Sequence, residues 1–180
     1  AGRITAVDAC PEYPDTLRSK GYTAYSYIED VPAADKHDRI CLFSLLEHIP
    51  EPVPFLKALA ERLSLDGRII IEVPSAAEPL VSLYDIPAFK SFYFQAMHPY
   101  VYSLKALDIL LGESGLKKVS VQHKQRYGLA NHLQWLKAGV PGGNPEYARL
   151  FDGKADEAYR HALEDSGRTD TLYLIASRAA

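Results

Sequence analysis

The feature that most constrains the fold is a strand–helix–strand pattern over residues 38–75. The apolar run at 40–45 is typical of a strand buried on both faces, as in a parallel sheet. Pro52 suits the first turn of a helix, because that position needs no backbone N–H donor. The largely β-branched run 68–73 predicts a second strand, which Pro74 ends. These elements predict a βαβ unit with parallel strands and a right-handed connection.

The connecting helix is expected to bury one apolar face and to end at a glycine. Its apolar residues recur at helical spacing: Leu56, Leu59, Ala60 and Leu63. Gly67 is expected to follow the helix in the left-handed conformation. Ligands of open α/β sheets bind beyond the carboxyl ends of the strands. A site is therefore expected beside the residues that follow each strand of this unit.

The segment at 43–75 reads FSLLEHIPEPVPFLKALAERLSLDGRIIIEVPS. It resembles the fourth strand, the next helix and the fifth strand of class I S-adenosylmethionine-dependent methyltransferases. The resemblance extends over nearly the whole chain, from the family's second strand to its last. It implies an α/β fold with a Rossmann-like sheet, helices on both faces and an antiparallel last strand, in a single domain over 1–180. The family's first strand and Gly-rich loop are expected to be missing.

The resemblance also implies S-adenosylmethionine as the cofactor and places polar residues around it. Asp8 matches the acid that holds the donor's ribose at the end of the family's second strand. A turn or helix-capping aspartate is the alternative. Ile28 and Glu29 match positions near the adenine, with a solvated turn as the alternative. Ser44 and Leu45 are assigned to the lining of the cofactor cleft.

Three ionisable residues are candidates for acid–base catalysis. Glu47 and His48 follow the fourth strand, where a carboxylate–imidazole pair can take up a proton near neutral pH. His98 precedes a helix that Ser103 is expected to cap and that Gly115 is expected to end. This arrangement resembles a substrate-side element in a subgroup of the family. The alternative for each residue is a packing or surface role.

Two long segments, 76–102 and 123–154, are expected to cover the cleft or contact the substrate. The first is aromatic and poorly periodic, which is typical of a binding loop. The second contains QRYGLANHLQWL and resembles methyltransferases of polysaccharide or sugar biosynthesis. The residues that the resemblance places against the acceptor are Tyr100, Arg126, Tyr127, Asn131 and His132. An arginine there can pair with the phosphate of a nucleotide-linked sugar, and a surface arginine is the alternative.

Charge and cysteine content exclude several classes of protein. The net charge of -3 disfavours a nucleic-acid-binding surface. No apolar run reaches the length of a membrane span, and no signal-peptide pattern is present. Cys10 and Cys41 form neither a metal motif nor a disulfide framework, so we expect both to be reduced and partly buried. The sequence thus predicts a cytoplasmic protein with no metal site.

Three functions fit these features. The first is methyl transfer from S-adenosylmethionine to a small hydroxylated acceptor, a sugar or a nucleotide-linked sugar. The second is a truncated or degenerate relative that acts without catalysis as a binding or oligomerisation module, so a homo-oligomer is left open. A dinucleotide-dependent oxidoreductase uses a related sheet but needs the same missing Gly-rich turn, and it ranks last.

Overall fold

The computed structural model describes residues 2–151 and 153–179, and its strands form two sheets. The smaller sheet is parallel and consists of β1 (Thr5–Val7) and β2 (Thr23–Tyr25). The larger sheet has the order β3-β4-β6-β5, and its strands are β3 (His37–Phe43), β4 (Leu63–Pro74), β5 (Leu116–Lys124) and β6 (Thr171–Arg178). β3 and β4 are parallel, whereas β6 is antiparallel to both of its neighbours. The expected antiparallel last strand is therefore confirmed.

Helices connect most of these strands. They are α1 (Glu12–Ser19), α2 (Pro52–Glu61), α3 (Pro79–Ser82), α4 (Pro87–Tyr93), α5 (Leu104–Glu113), α6 (Leu129–Ala138), α7 (Pro145–Leu150) and α8 (Gly153–Asp165), with 3-10 turns at Ile28–Asp30 and Leu46–His48. Within the described ranges, no helix has both the length and the apolar character needed to cross a bilayer.

The predicted βαβ unit is present, but the role predicted for Gly67 is wrong. α2 begins at Pro52, as expected. Gly67 does not end this helix, because it lies inside β4. A Cβ at this position would lie 3.0 Å from both the carbonyl oxygen of His37 and the side chain of Leu63. Close approach of the neighbouring strand explains the glycine.

The main core fills one face of the larger sheet. α2 and α5 pack against each other, and their apolar side chains meet alternate residues of β4 and β6. The fully buried members include Leu56, Ile69, Ile71, Leu107 and Leu174. Each such side chain contributes roughly 1.5–3 kcal/mol of burial free energy. This packing fixes the carboxyl end of β4, where the site lies.

β3 is not buried on both faces, which corrects the prediction for 40–45. Cys41 is exposed, and Phe43 is 59% exposed. Among the described residues, β3 pairs only with β4 and β1 only with β2, so β3 has one unpaired edge. The strand ends at Phe43 because Ser44 adopts a left-handed backbone with φ of 48°. Cys10 is exposed as well, so the partial burial expected for both cysteines is wrong.

The segment 76–102 is more ordered than a loop. It contains α3 and α4, which are too short to give a clear helical period. Leu80 and Phe89 from this segment pack with Trp135 of α6 to form a second, smaller core. The two segments predicted to lie near the substrate, 76–102 and 123–154, are therefore packed against each other.

Both boundaries predicted for α5 are confirmed. The Ser103 side chain accepts a hydrogen bond from the backbone N–H of Ala106, which caps α5. Gly115 follows α5 with φ of 71°, and Gly139 ends α6 with φ of 65°.

Candidate functional site

Glu47, His48 and His98 come together at the carboxyl edge of the larger sheet. Glu47 and His48 lie on the 3-10 turn after β3, and His98 lies between α4 and α5. One ligand atom from each residue lies within 4.8 Å of the others. The two imidazole rings meet edge to face, with their centroids 4.7 Å apart. We call these three residues the open cluster.

The carboxylate of the open cluster is buried and incompletely paired. Glu47 is 1% exposed, and its Oε2 atom has no hydrogen-bond partner among the residues that the structure describes. Burial raises the pKa of Glu47, against the opposing effects of its own backbone N–H and the imidazoles of His48 and His98. Such a group is a candidate for function, because unsatisfied buried polar atoms are rare.

Hydrogen bonds orient His48 and the segment beside it. The Nδ1 atom of His48 lies 2.7 Å from the carbonyl oxygen of Met97. A carbonyl oxygen only accepts, so Nδ1 carries a hydrogen, and in the neutral ring the lone pair is then on Nε2. Tyr100 donates a hydrogen bond to the carbonyl oxygen of Pro50 over 3.0 Å. These two bonds tie the His98 segment to the turn that carries His48.

A cavity of about 310 Å³ adjoins the open cluster through His98. One part of its wall is aromatic and consists of Phe89, Phe92, Tyr93 and Trp135. Phe89 packs against Trp135 edge to face, with ring centroids 4.9 Å apart. The other part of its wall is polar and includes Arg126, Tyr127 and Asn131. Three of the residues predicted to bind the acceptor therefore line the same cavity as His98. Tyr100 instead contacts the carbonyl oxygen of Pro50.

Arg126 is already paired, which weakens the phosphate-binding interpretation. Its Nη1 atom lies 3.2 Å from the carboxylate of Glu72, and its Nε atom lies 3.6 Å from that of Asp170. The backbone N–H groups of Arg126 and Tyr127 also donate to Asp170 Oδ2. The guanidinium charge is therefore balanced by two carboxylates of the protein.

His132, which the sequence predicts to bind the acceptor, is not among the described residues that line this cavity. It is 1% exposed, and its Nδ1 lies 2.6 Å from the hydroxyl of Tyr159. The side-chain amide of Gln125 donates to its Nε2 over 3.3 Å, so Nδ1 carries the hydrogen. Glu78 lies 3.7 Å from Nε2 and accepts a hydrogen bond from the backbone N–H of Leu80. We call Glu78, Gln125, His132 and Tyr159 the closed cluster.

Burial keeps the closed cluster uncharged near pH 5.5. It lowers the pKa of His132 to about 4 and raises the pKa of Glu78 to about 7. The contact between their side chains is therefore not an ion pair, although its distance would permit one. This cluster holds α6 and α8 together through His132 and Tyr159.

The residues predicted to hold the donor lie after three different strands. Asp8 follows β1, is half-buried, and accepts a hydrogen bond from the backbone N–H of Cys10 through Oδ1. This bond to the residue two positions ahead is typical of a turn, so the turn alternative for Asp8 is present in the structure, whereas α1 begins after Pro11 without a side-chain cap. Glu29 follows β2 and borders a second cavity of about 310 Å³. Ile28 beside it packs against the main core instead.

Ser44 and Leu45 lie between β3 and the open cluster. Ser44 is exposed, and its backbone N–H donates to the carbonyl oxygen of Glu72 over 3.1 Å. Its φ of 48° is strained for a residue with a side chain, and such strain concentrates at functional sites. Leu45 is 38% exposed. Both residues are exposed at this edge of the sheet.

Asp170 is a site residue that the sequence analysis missed. It is 3% exposed and lies directly before β6, where Thr171 pairs with Pro74 at the end of β4. Because β6 is antiparallel, its first residue lies at the same edge as the carboxyl end of β4. An acidic residue directly before the antiparallel last strand is therefore the sequence feature that would have indicated Asp170 as a site residue.

The chain is similar to known methyltransferases in sequence and in fold. A family model described as a methyltransferase domain matches residues 3–121. No curated protein sequence matches the chain.

Solved structures of methyltransferases have a fold similar to that of this chain. An S-adenosylmethionine-dependent methyltransferase from Thermotoga maritima is 16% identical with a TM-score of 0.59, over 97% of this chain and 72% of that one. Another from Archaeoglobus fulgidus is 15% identical with a TM-score of 0.54, over 98% and 87%. A Burkholderia thailandensis 1,6-didemethyltoxoflavin N1-methyltransferase, solved with its substrate and S-adenosylhomocysteine, is 15% identical with a TM-score of 0.54, over 99% and 62%.

Proposed function

The chain belongs to the class I S-adenosylmethionine-dependent methyltransferase family, and from this premise we propose that it methylates a hydroxyl group of a small, uncharged ring compound such as a sugar. The observation that carries the proposal is the position of His98, which belongs both to the open cluster and to the wall of the aromatic cavity. A hydroxyl bound in this cavity would lie beside the imidazoles.

The cofactor of the family is S-adenosylmethionine, which supplies a methyl group bound to a positively charged sulfur. The residues that would hold it are Asp8, Glu29, Ser44 and Leu45. Their chemistry fits the group, because a half-buried carboxylate accepts hydrogen bonds from ribose hydroxyls and follows a parallel strand. The exposed, strained Ser44 adds a polar contact at the end of β3.

The cavity suits a neutral hydroxylated ring. Aromatic side chains can pack on the apolar face of a sugar, while Tyr127 and Asn131 can bind its hydroxyls. Arg126 adds no uncompensated positive charge, because Glu72 and Asp170 pair with it. A free sugar is therefore preferred to a nucleotide-linked one. Segments 76–102 and 123–154 serve in this proposal as acceptor-side insertions of a single domain.

Proton removal is assigned to the open cluster. The free Nε2 of His48 accepts a proton only when the imidazole is neutral, and the Met97 carbonyl holds the required tautomer. His98 faces the cavity and is the first candidate to take the hydroxyl proton. The buried carboxylate of Glu47 favours the resulting imidazolium.

Exposed and unpaired cysteines support a reducing, cytoplasmic location.

The donor half of the proposal is tested by calorimetric titration of the chain with S-adenosylhomocysteine. We expect micromolar binding that Asp8→Ala weakens about tenfold, or about 1.4 kcal/mol. Asp15→Ala is the matched control, because this acid on α1 is exposed and, within the described ranges, pairs with the neighbouring Arg18 alone. Absence of binding at millimolar ligand would contradict the proposal and favour the non-catalytic binding or oligomerisation module.

A further inference from the structure

We propose that the open cluster is a binding site for a divalent first-row transition-metal cation, with Glu47, His48 and His98 as its ligands. The ligand atoms of the three side chains lie within 4.8 Å of one another. Two imidazoles and one carboxylate form the ligand set of catalytic zinc and other open transition-metal sites. The sequence predicted no metal site, because its cysteine pattern gave no signal of one.

The unpaired carboxylate is the strongest independent observation for a cation. Glu47 is 1% exposed, and no group within residues 2–151 and 153–179 donates a hydrogen bond to its Oε2. A buried polar atom without a partner costs about 1–3 kcal/mol, and a charged one costs more. A cation bound to Oε2 would supply the partner that this oxygen lacks.

The orientation of His48 provides a second observation. Metal-binding histidines typically donate their other ring N–H to a carbonyl or carboxylate oxygen. The Nδ1 atom of His48 has this partner, the Met97 carbonyl oxygen at 2.7 Å, and its Nε2 is free to bind a metal. The same contact fixes the chain next to His98.

The spacing of the ligands requires a small contraction. Zinc binds nitrogen and oxygen at about 2.0–2.2 Å, so its ligands lie roughly 3–3.5 Å apart. His98 can move towards the ion, because it lies outside helices and strands and is only partly buried. The nitrogen-rich set favours zinc, copper, nickel or iron over magnesium, which prefers oxygen ligands.

The role of this ion rests on the proposed function, whereas its binding does not. Three protein ligands leave coordination positions open, and His98 places them beside the cavity. An acceptor hydroxyl bound to the ion would lose its proton to water at a lower pH than a free hydroxyl. His98 would then act as a metal ligand, not as the base.

The test is calorimetric titration of the metal-free chain with zinc chloride, in the absence of any methyl donor or acceptor. We expect one ion per chain, with a dissociation constant in the micromolar range or below. Glu47→Gln and His98→Ala should each weaken binding at least tenfold. His161→Ala is the matched control, because this histidine is exposed on α8 and away from the cluster. Circular dichroism melting shows whether each variant is folded.

Two results would overturn the proposal: no zinc binding at millimolar concentration, or binding that folded Glu47→Gln and His98→Ala variants leave unchanged. Equal affinity for magnesium chloride would contradict the choice of ion. S-adenosylhomocysteine binding is measured on the same metal-free chain. If this chain binds S-adenosylhomocysteine but not zinc, the metal site alone is rejected. If it binds zinc but not S-adenosylhomocysteine, the donor site alone is rejected.

Discussion

The open and closed clusters both place a buried glutamate beside a histidine, but they differ in how fully their polar atoms are paired. Each has a buried glutamate beside imidazole, Glu47 in one and Glu78 in the other. Both ring nitrogens of His132 have protein partners, and Glu78 accepts from a backbone N–H. In the part of the chain that the structure describes, Glu47 Oε2 has no hydrogen-bond partner, and His48 donates through Nδ1 to the Met97 carbonyl oxygen.

Whether the buried polar atoms have hydrogen-bond partners distinguishes a structural cluster from a functional one better than the residue types do. A satisfied buried network stabilises one arrangement of the elements that it joins. An unsatisfied one costs free energy, and proteins keep such sites chiefly where they bind or react. The closed cluster thus stabilises the wall of the cavity, and the open cluster is where our proposal places the chemistry.

The largest expected contrast is in stability. His132→Ala should lower the free energy of unfolding by about 2–4 kcal/mol, because Tyr159 and Gln125 lose a buried partner. His48→Ala should lower it by less than about 1 kcal/mol, because this ring is only partly buried. Urea unfolding monitored by circular dichroism measures both values. Equal losses in the two variants would remove the distinction between the clusters.

A smaller contrast lies in the pH dependence of the closed cluster. The pKa of Glu78 is raised from 4.5 to about 7, so its contribution to stability is full below pH 4.5 and is lost as the pH rises to 7. The pKa of His132 is lowered from 6.5 to about 4, so its contribution is full above pH 6.5 and is lost as the pH falls to 4. The two effects oppose each other in the wild type.

Single variants should expose each effect in turn. On acidification from pH 7 to 4.5, Glu78→Gln should lose about 1–3 kcal/mol of stability relative to the wild type. On acidification from pH 6.5 to 4, His132→Gln should gain stability relative to the wild type by a similar amount. Urea unfolding at four pH values checks both slopes. Slopes of the same sign would show that the two side chains do not titrate in this way.

The smallest expected effect concerns the open cluster without metal. Glu47→Gln should stabilise the metal-free chain by about 1 kcal/mol at pH 7, because a neutral amide replaces a buried carboxylate with an unpaired oxygen. Glu78→Asp, which shortens a paired side chain, serves as the control and should destabilise it. Thermal melts in the presence of a chelator compare the variants. A destabilised Glu47→Gln variant would mean that the carboxylate is already satisfied.

The sequence predicted local features of the site better than distant contacts. The pattern of strands placed Glu47 and His48 at a sheet edge, because parallel strands direct their carboxyl ends to the same side. The partner of Arg126 lies 44 residues away at Asp170, and that of His132 lies 27 residues away at Tyr159. Such partners depend on packing, which helical or strand periodicity does not encode. Gly67 was misread for the same reason.

The most direct test of the contrast between the clusters is a long-range proton–nitrogen NMR spectrum of the histidine rings, recorded at pH 7 before and after addition of zinc chloride. We expect His132 to be a neutral Nδ1–H tautomer and to remain unchanged by zinc. The ring nitrogens of His48 and His98 should shift with one equivalent of zinc, and Nε2 of His48 should be the metal-bound atom. Unchanged signals from these two residues, or a shift of His132, would contradict the account.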